Sequence, residues 1–143
     1  MIYIAYGSNL NKDQMAFRCP NATPLGKMYL PDYKLVFRGV ADIIKKKGEF
    51  VPVGIWDVTD DCIKALDRYE GAPRLYQRVD IGMGFTYMMR HRDYAVPNNF
   101  YFEAIRTGYQ DFDMYDDVAM EKLYEAYDEA AYMYDLDYEE LAR

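Results

Sequence analysis

Short β-prone runs, cut at close intervals by Gly, Pro, Asn and Asp, restrict this chain more than any other feature of its sequence. Ile2-Tyr3-Ile4-Ala5 is apolar and short, and it stops at once in the turn-forming cluster Tyr6-Gly7-Ser8-Asn9. Strands are predicted over 25–30 and 33–38, with Pro31-Asp32 as the break between them. Residues 41–44 and 50–58 flank Lys45-Lys46-Lys47-Gly48-Glu49, which reads as a hairpin. A second hairpin is predicted from 77–83 and 85–90 through Gly82 or Gly84. Runs this short, joined by tight turns, favour antiparallel pairing.

Helices are fewer and well marked. Asn11 is placed to cap a helix over 12–18, which Cys19-Pro20-Asn21 ends. Thr59 caps a helix over 60–70, with Ile63, Leu66 and Tyr69 on one face, Gly71 as its stop and Pro73 barring continuation. Pro97-Asn98 opens another helix that runs to Gly108, and a last one is expected over 116–134. The mixture is α+β with a strongly curved or barrel-like sheet. Periodicity does not choose between an open sheet and a barrel.

At 143 residues the chain has the length of one domain and can bury a core without disulfide or metal staples. Cys19 and Cys62 match neither a CxxC nor a zinc spacing, so they read as reduced thiols. No apolar run is long enough to span a bilayer, and Met1 to Ala5 lacks the basic and apolar regions of a signal peptide. The expected compartment is the cytoplasm.

The net charge of −7 is uneven. From Asp111 onward there are twelve acidic and two basic residues, against twelve acidic and fifteen basic before it. So acidic a chain is a poor general binder of nucleic acid or anionic membrane, and Lys45-Lys46-Lys47 reads as a solvated turn.

Two places could carry chemistry. A strand that ends in Gly7-Ser8-Asn9 before a helix aims several backbone N–H groups at one point, a geometry that holds anions. An ordinary strand-to-helix turn fits the same residues, and the Gly-rich pattern of a phosphate-binding P-loop is missing. Glu70 ends the predicted second helix, where the dipole disfavours a negative charge. Burial there would raise its pKa and make it a general base near neutral pH, whereas solvation would leave it an ordinary last-turn glutamate. Ser8 has no base beside it in the sequence, and the single histidine, His91, lies between Arg90 and Arg92 and reads as surface. One histidine and scattered carboxylates do not make a metal site. Trp56 and most of the tyrosines read as core and pocket wall.

The loop and the glutamate together resemble a family. Tyr3-Ile4-Ala5-Tyr6-Gly7-Ser8-Asn9-Leu10 is similar to the opening motif of the γ-glutamylcyclotransferase-like proteins, which include the AIG2-like proteins. Met15, Arg18, Cys19 and Pro20 sit where that family carries a similar run, and Gly54-Ile55-Trp56-Asp57-Val58 looks like its central strand. Leu66-Asp67-Arg68-Tyr69-Glu70-Gly71 resembles the segment with the catalytic glutamate, followed by Tyr76 and Arg78, and Tyr101 falls where a tyrosine contacts substrate. The resemblance implies a small, mixed, mostly antiparallel β-barrel with flanking helices, occupying residues 1–112. It implies a reaction in which a γ-glutamyl compound closes on itself to 5-oxoproline and releases an amine or amino acid. Glu70 would be the general acid/base, and Tyr6, Gly7, Ser8, Asn9, Leu10 and Tyr101 would bind substrate. No metal or other cofactor is implied, because nucleophile and electrophile sit in one molecule.

A non-catalytic binding module with the same anion-holding loop is the alternative, and the carboxylate at position 70 favours the enzyme. Residues 113–143 are expected to form an acidic helical extension packed on the same domain, with Tyr115, Tyr124, Tyr127, Tyr132, Tyr134 and Tyr138. Its aromatic face either covers the barrel or serves an interface, a homodimer included.

Overall fold

A computed structural model describes residues 1–72, 75–89 and 93–141, with side chains through 136. Expectations for Pro73, Arg90, His91, Arg92 and the side chain of Tyr138 lie outside these residues.

In chain order the elements are β1 (Ile2–Ala5), a 3-10 turn (Ser8–Leu10), α1 (Lys12–Arg18), β2 (Thr23–Phe37), β3 (Ala41–Asp57), α2 (Asp60–Tyr69), β4 (Tyr76–Asp80), β5 (Phe85–Met89), α3 (Asn99–Asp111) and α4 (Asp117–Leu141). The caps sit where local chemistry puts them. Asn11 accepts from Gln14 N at 3.0 Å, Thr59 from Cys62 N at 3.3 Å and Asn98 from Tyr101 N at 2.8 Å. Asp116 does the same for α4 through Ala119 N at 3.0 Å. Gly71, at φ 66°, takes the left-handed position that stops α2 after Glu70.

The sheet has the order β2-β3-β1-β5-β4. β1 is its centre, antiparallel to β3 and parallel to β5. The barrel implied by the resemblance is corrected to an open, five-stranded mixed sheet, because β2 and β4 are its edges and do not pair among the described residues. The start of β3 does curl toward the end of β5, but side chains span that gap. The Asp42 carboxylate accepts from Met89 N at 2.8 Å, occupying an N–H that a strand carbonyl would need for a ladder. Tyr76 OH donates to Ala41 O at 2.7 Å, and one parallel bridge joins Arg38 and Ala95.

The two strands expected on either side of Pro31-Asp32 are one, β2, and the Lys45–Glu49 hairpin is absent because β3 runs through it. The register jumps from Pro31↔Phe50 to Tyr33↔Lys45, so Lys46, Lys47, Gly48 and Glu49 occupy a wide bulge. Asp32 and Gly48 carry the positive φ values it requires, 63° and 87°, and Gly48 N donates to Asp32 Oδ1 at 3.0 Å. Pro31 is tolerated because β2 is an edge strand. The reversal between β2 and β3 falls instead at Gly39, φ 81°.

The core lies between this bent sheet and the helices. Ile4, Met15, Ile43, Val51, Val53, Leu66, Ile105 and Leu123 are fully buried. α4 lies against β2 and β3 through the buried face Ala119, Leu123, Ala126 and Ala130.

Candidate active site

β1 delivers the chain to Tyr6 at the centre of the sheet, and the 3-10 turn then reverses it. Leu10 N donates to Gly7 O and Asn11 N to Ser8 O, both at 3.0 Å. So tight a turn leaves its leading N–H groups without partners of its own. Gly7 is needed for closeness, since a Cβ there would lie 3.1 Å from Ala41 Cβ and 3.4 Å from Tyr101 OH. Ser8 and Asn9 are buried, and Trp56 Nε1 on β3 donates to Asn9 O at 3.0 Å, clamping the turn to the sheet.

Beside this turn is a cavity of about 260 Å³, lined by Tyr6, Gly7, Ser8, Asn9, Glu70 and Tyr101 together with aromatic and apolar walls from Tyr3, Val40, Ala41, Tyr69, Leu75, Tyr76, Tyr87 and Met89. That is near the lower end of small-ligand pockets, roughly 300–1,000 Å³, and suits a group of amino-acid size. Six of the seven residues singled out in the sequence therefore meet at one hollow. Leu10 does not line it. Leu10 is fully buried between Gly54 and Gly108, where added Cβ atoms would lie 2.7 Å from its Cδ2 and 2.6 Å from its Cβ.

Glu70 reaches the cavity from the C-cap of α2, one residue past Tyr69. Burial pushes its carboxyl up to about 7, against the opposing pull of the Arg18 cation. Asn9 Nδ2 lies 3.3 Å from Glu70 Oε1 and 2.9 Å from Tyr3 OH. Burial also holds the phenols of Tyr3, Tyr6, Tyr76, Tyr87 and Tyr101 well above their ordinary range, so they face the cavity protonated. Near neutral pH, Glu70 is thus the titrating group of this wall among the described residues.

The phenols are anchored. Tyr6 OH donates to Tyr87 O, and Tyr87 OH to Asp67 Oδ1 on α2. Tyr101 OH accepts from Ala41 N at 2.9 Å while Tyr76 OH donates to Ala41 O, so two walls grip the backbone of one residue on both sides. Asp42 next to it is buried, paired with Arg38 Nε at 3.0 Å, and burial raises its carboxyl. Sequence reading took most tyrosines as core or pocket wall without singling out Tyr3, Tyr69 or Tyr87, and it missed Ala41 and Asp42, which come to the site through partners far along the chain. The Tyr-rich composition was the one signal available.

The family model described as Gamma-glutamyl cyclotransferase, AIG2-like, matches residues 3–102. The chain belongs to this family. The match contains the turn, Glu70 and Tyr101 and ends before α4. Among solved structures, an uncharacterised human protein is 25% identical with a TM-score of 0.73, the alignment covering 85% of each chain. A structure named gamma-glutamyl cyclotransferase is 24% identical with a TM-score of 0.72, again over 85% of each chain. An uncharacterised protein from Pyrococcus horikoshii is 19% identical with a TM-score of 0.52, over 64% of this chain and 83% of that one. No curated protein matches the chain. As in the cyclotransferase structure, the fold here is mixed α+β, and the family places a cyclotransferase-type activity on it.

Proposed function

We propose that the protein is a γ-glutamylcyclotransferase-type enzyme that releases 5-oxoproline and an amine or amino acid from a γ-glutamyl compound. One observation carries this reading: a carboxyl group raised to about 7 lines the same amino-acid-sized hollow as the backbone turn of Gly7, Ser8 and Asn9. The turn's N–H groups suit the substrate α-carboxylate or the oxyanion that forms at the γ-carbon.

Ionised Glu70 takes a proton from the α-ammonium, whose ordinary pKa is about 8, so the transfer is nearly balanced. The freed amine attacks the γ-carbonyl carbon and forms the five-membered ring. Glu70 then passes its proton to the leaving nitrogen, the C–N bond to that nitrogen breaks, and the ring nitrogen sheds its second proton. In sum, two protons of the α-nitrogen end on the released amine, and Glu70 returns to its ionised form. Tyr6 and Tyr101, protonated and anchored, wall the site against water and shape the folded substrate. Holding nucleophile and electrophile in contact supplies much of the acceleration.

The test is a panel of γ-glutamyl peptides and γ-glutamyl amines assayed for 5-oxoproline, with Glu70→Gln alongside. Product from at least one compound is expected, with kcat lower by roughly 10²–10⁴ in the variant. Equal turnover by both proteins would remove Glu70 from its role. No product from any compound, with compounds still bound, would favour the binding-module alternative.

A further inference from the structure

Arg18 reaches the site without lining it. Its guanidinium donates through one Nη to Asn9 Oδ1 and, at 3.3 Å, to Ser8 Oγ, and its Cζ lies 3.4 Å above the ring of Tyr69. One side chain from the last turn of α1 thus holds both the 3-10 turn and the end of α2, the two elements that carry the turn amides and Glu70. A guanidinium has donors only, so the amide of Asn9 can face it only with its carbonyl. The NH₂ end is therefore forced the other way, toward Tyr3 OH and Glu70 Oε1.

We propose that Arg18 is a positioning residue that sets the orientation of the Asn9 amide and through it keeps the Glu70 carboxylate presented, with its second oxygen, to the substrate amine. The proposal rests on the catalytic reading of Glu70 for its consequence in turnover, but the Arg18–Asn9–Glu70 linkage is a property of the resting protein. Without Arg18 the amide is free to turn its oxygen toward Glu70, where two acceptors repel and only a protonated carboxyl is accommodated. The other titratable groups that line this cavity with Glu70 among the described residues are Tyr3 from β1, Tyr6 beyond it, Tyr69 from α2, Tyr76 from β4, Tyr87 from β5 and Tyr101 from α3. Burial holds the phenols of Tyr3, Tyr6, Tyr76, Tyr87 and Tyr101 well above their ordinary range. Arg18 is the cation that opposes protonation of Glu70.

Three proteins decide the matter: wild type, Arg18→Met and Arg18→Lys. The Glu70 side-chain carboxyl is followed by carbon NMR as a function of pH without substrate, and kcat and KM are measured as functions of pH. Arg18→Met is expected to move the Glu70 titration point upward by roughly half to one pH unit, and to move the acidic limb of kcat/KM with it. Arg18→Lys keeps the charge and a donor for Asn9, so its titration point is expected to return close to that of wild type. Lysine cannot both fork between Ser8 and Asn9 and lie flat on Tyr69, so kcat should still fall about tenfold with KM less affected. A Glu70 titration point unchanged in Arg18→Met, or full wild-type kcat in Arg18→Lys, overturns the proposal. Should wild type turn over no γ-glutamyl compound, the functional reading fails while the titration arm still decides the linkage. Should Arg18→Met not fold, kcat in Arg18→Lys decides alone.

Discussion

At the scale of single residues, burial of Glu70 has consequences for stability as well as for catalysis. Its carboxyl is raised from about 4.5 to about 7 on folding. Between those values the native protein holds a proton that the unfolded chain has lost, so stability falls as pH rises through this window. Ionised Glu70 is therefore a burden at pH 8 and none below pH 4. Glu70→Gln, uncharged throughout, is expected to be more stable than wild type at pH 8 by about 1–3 kcal/mol, a gap that closes as the pH falls from about 7 to about 4.5. Urea melts of the two proteins at pH 4, 6 and 8 measure this, and parallel curves would show that Glu70 is solvated. Activity has the opposite sense: kcat/KM should rise with pH along an acidic limb near 7, as the base ionises. Gly7→Ala tests the other side of the hollow. Its methyl would press on Ala41 and Tyr101, so KM for a γ-glutamyl compound should rise with a stability loss of about 1 kcal/mol, read from substrate saturation and melting curves.

At the scale of elements, contact between backbones sets the site. Leu10, the last residue of the turn, is wedged between β3 at Gly54 and α3 at Gly108. A side chain at 108 would meet Leu10 Cβ at 2.6 Å and the backbone N of Asn11 at 2.7 Å. Neither can move without dragging the 3-10 turn with it. Gly108→Ala is therefore expected to destabilise by about 1–3 kcal/mol and to lower activity by displacing the turn, although position 108 lies outside the cavity. Chemical denaturation together with 5-oxoproline assay at a temperature where the variant is folded would separate the two effects. An unperturbed melt would show that α3 has room to shift.

At the scale of the whole molecule, α4 lies beyond the family match yet belongs to the core. Ala119, Leu123, Ala126 and Ala130 are buried against the sheet, and Lys34 and Lys122 pair with Glu129 and Glu49 across the seam. Its other side is open, with Tyr132 and Tyr134 63% and 55% exposed. Deleting everything after Phe112 would expose those apolar positions and the adjoining faces of β2 and β3. The truncated chain is expected to lose several kcal/mol of stability, or to aggregate, by melting and light scattering. A truncated protein that melts like the full chain but changes its mass on sizing would assign α4 to an interface between copies.

The sequence by itself determined what neighbouring residues decide: the caps at Asn11, Thr59 and Asn98, the stop at Gly71, the strand that breaks into Gly7-Ser8-Asn9, and the family resemblance of the turn and the glutamate. Cap and turn preferences act within one helical turn, so they are written in consecutive letters. Tertiary structure alone decided that the sheet stays open, that residues 46–49 bulge out of a continuous strand, and that Cys19 Sγ lies 3.4 Å from the carbonyl of Cys62. It likewise put Leu10 in the core and joined Arg18, Asn9 and Glu70. These depend on which distant residues share a space, and on how much water is excluded there. A pKa of about 7 for one glutamate is a property of that shared space and of no residue alone.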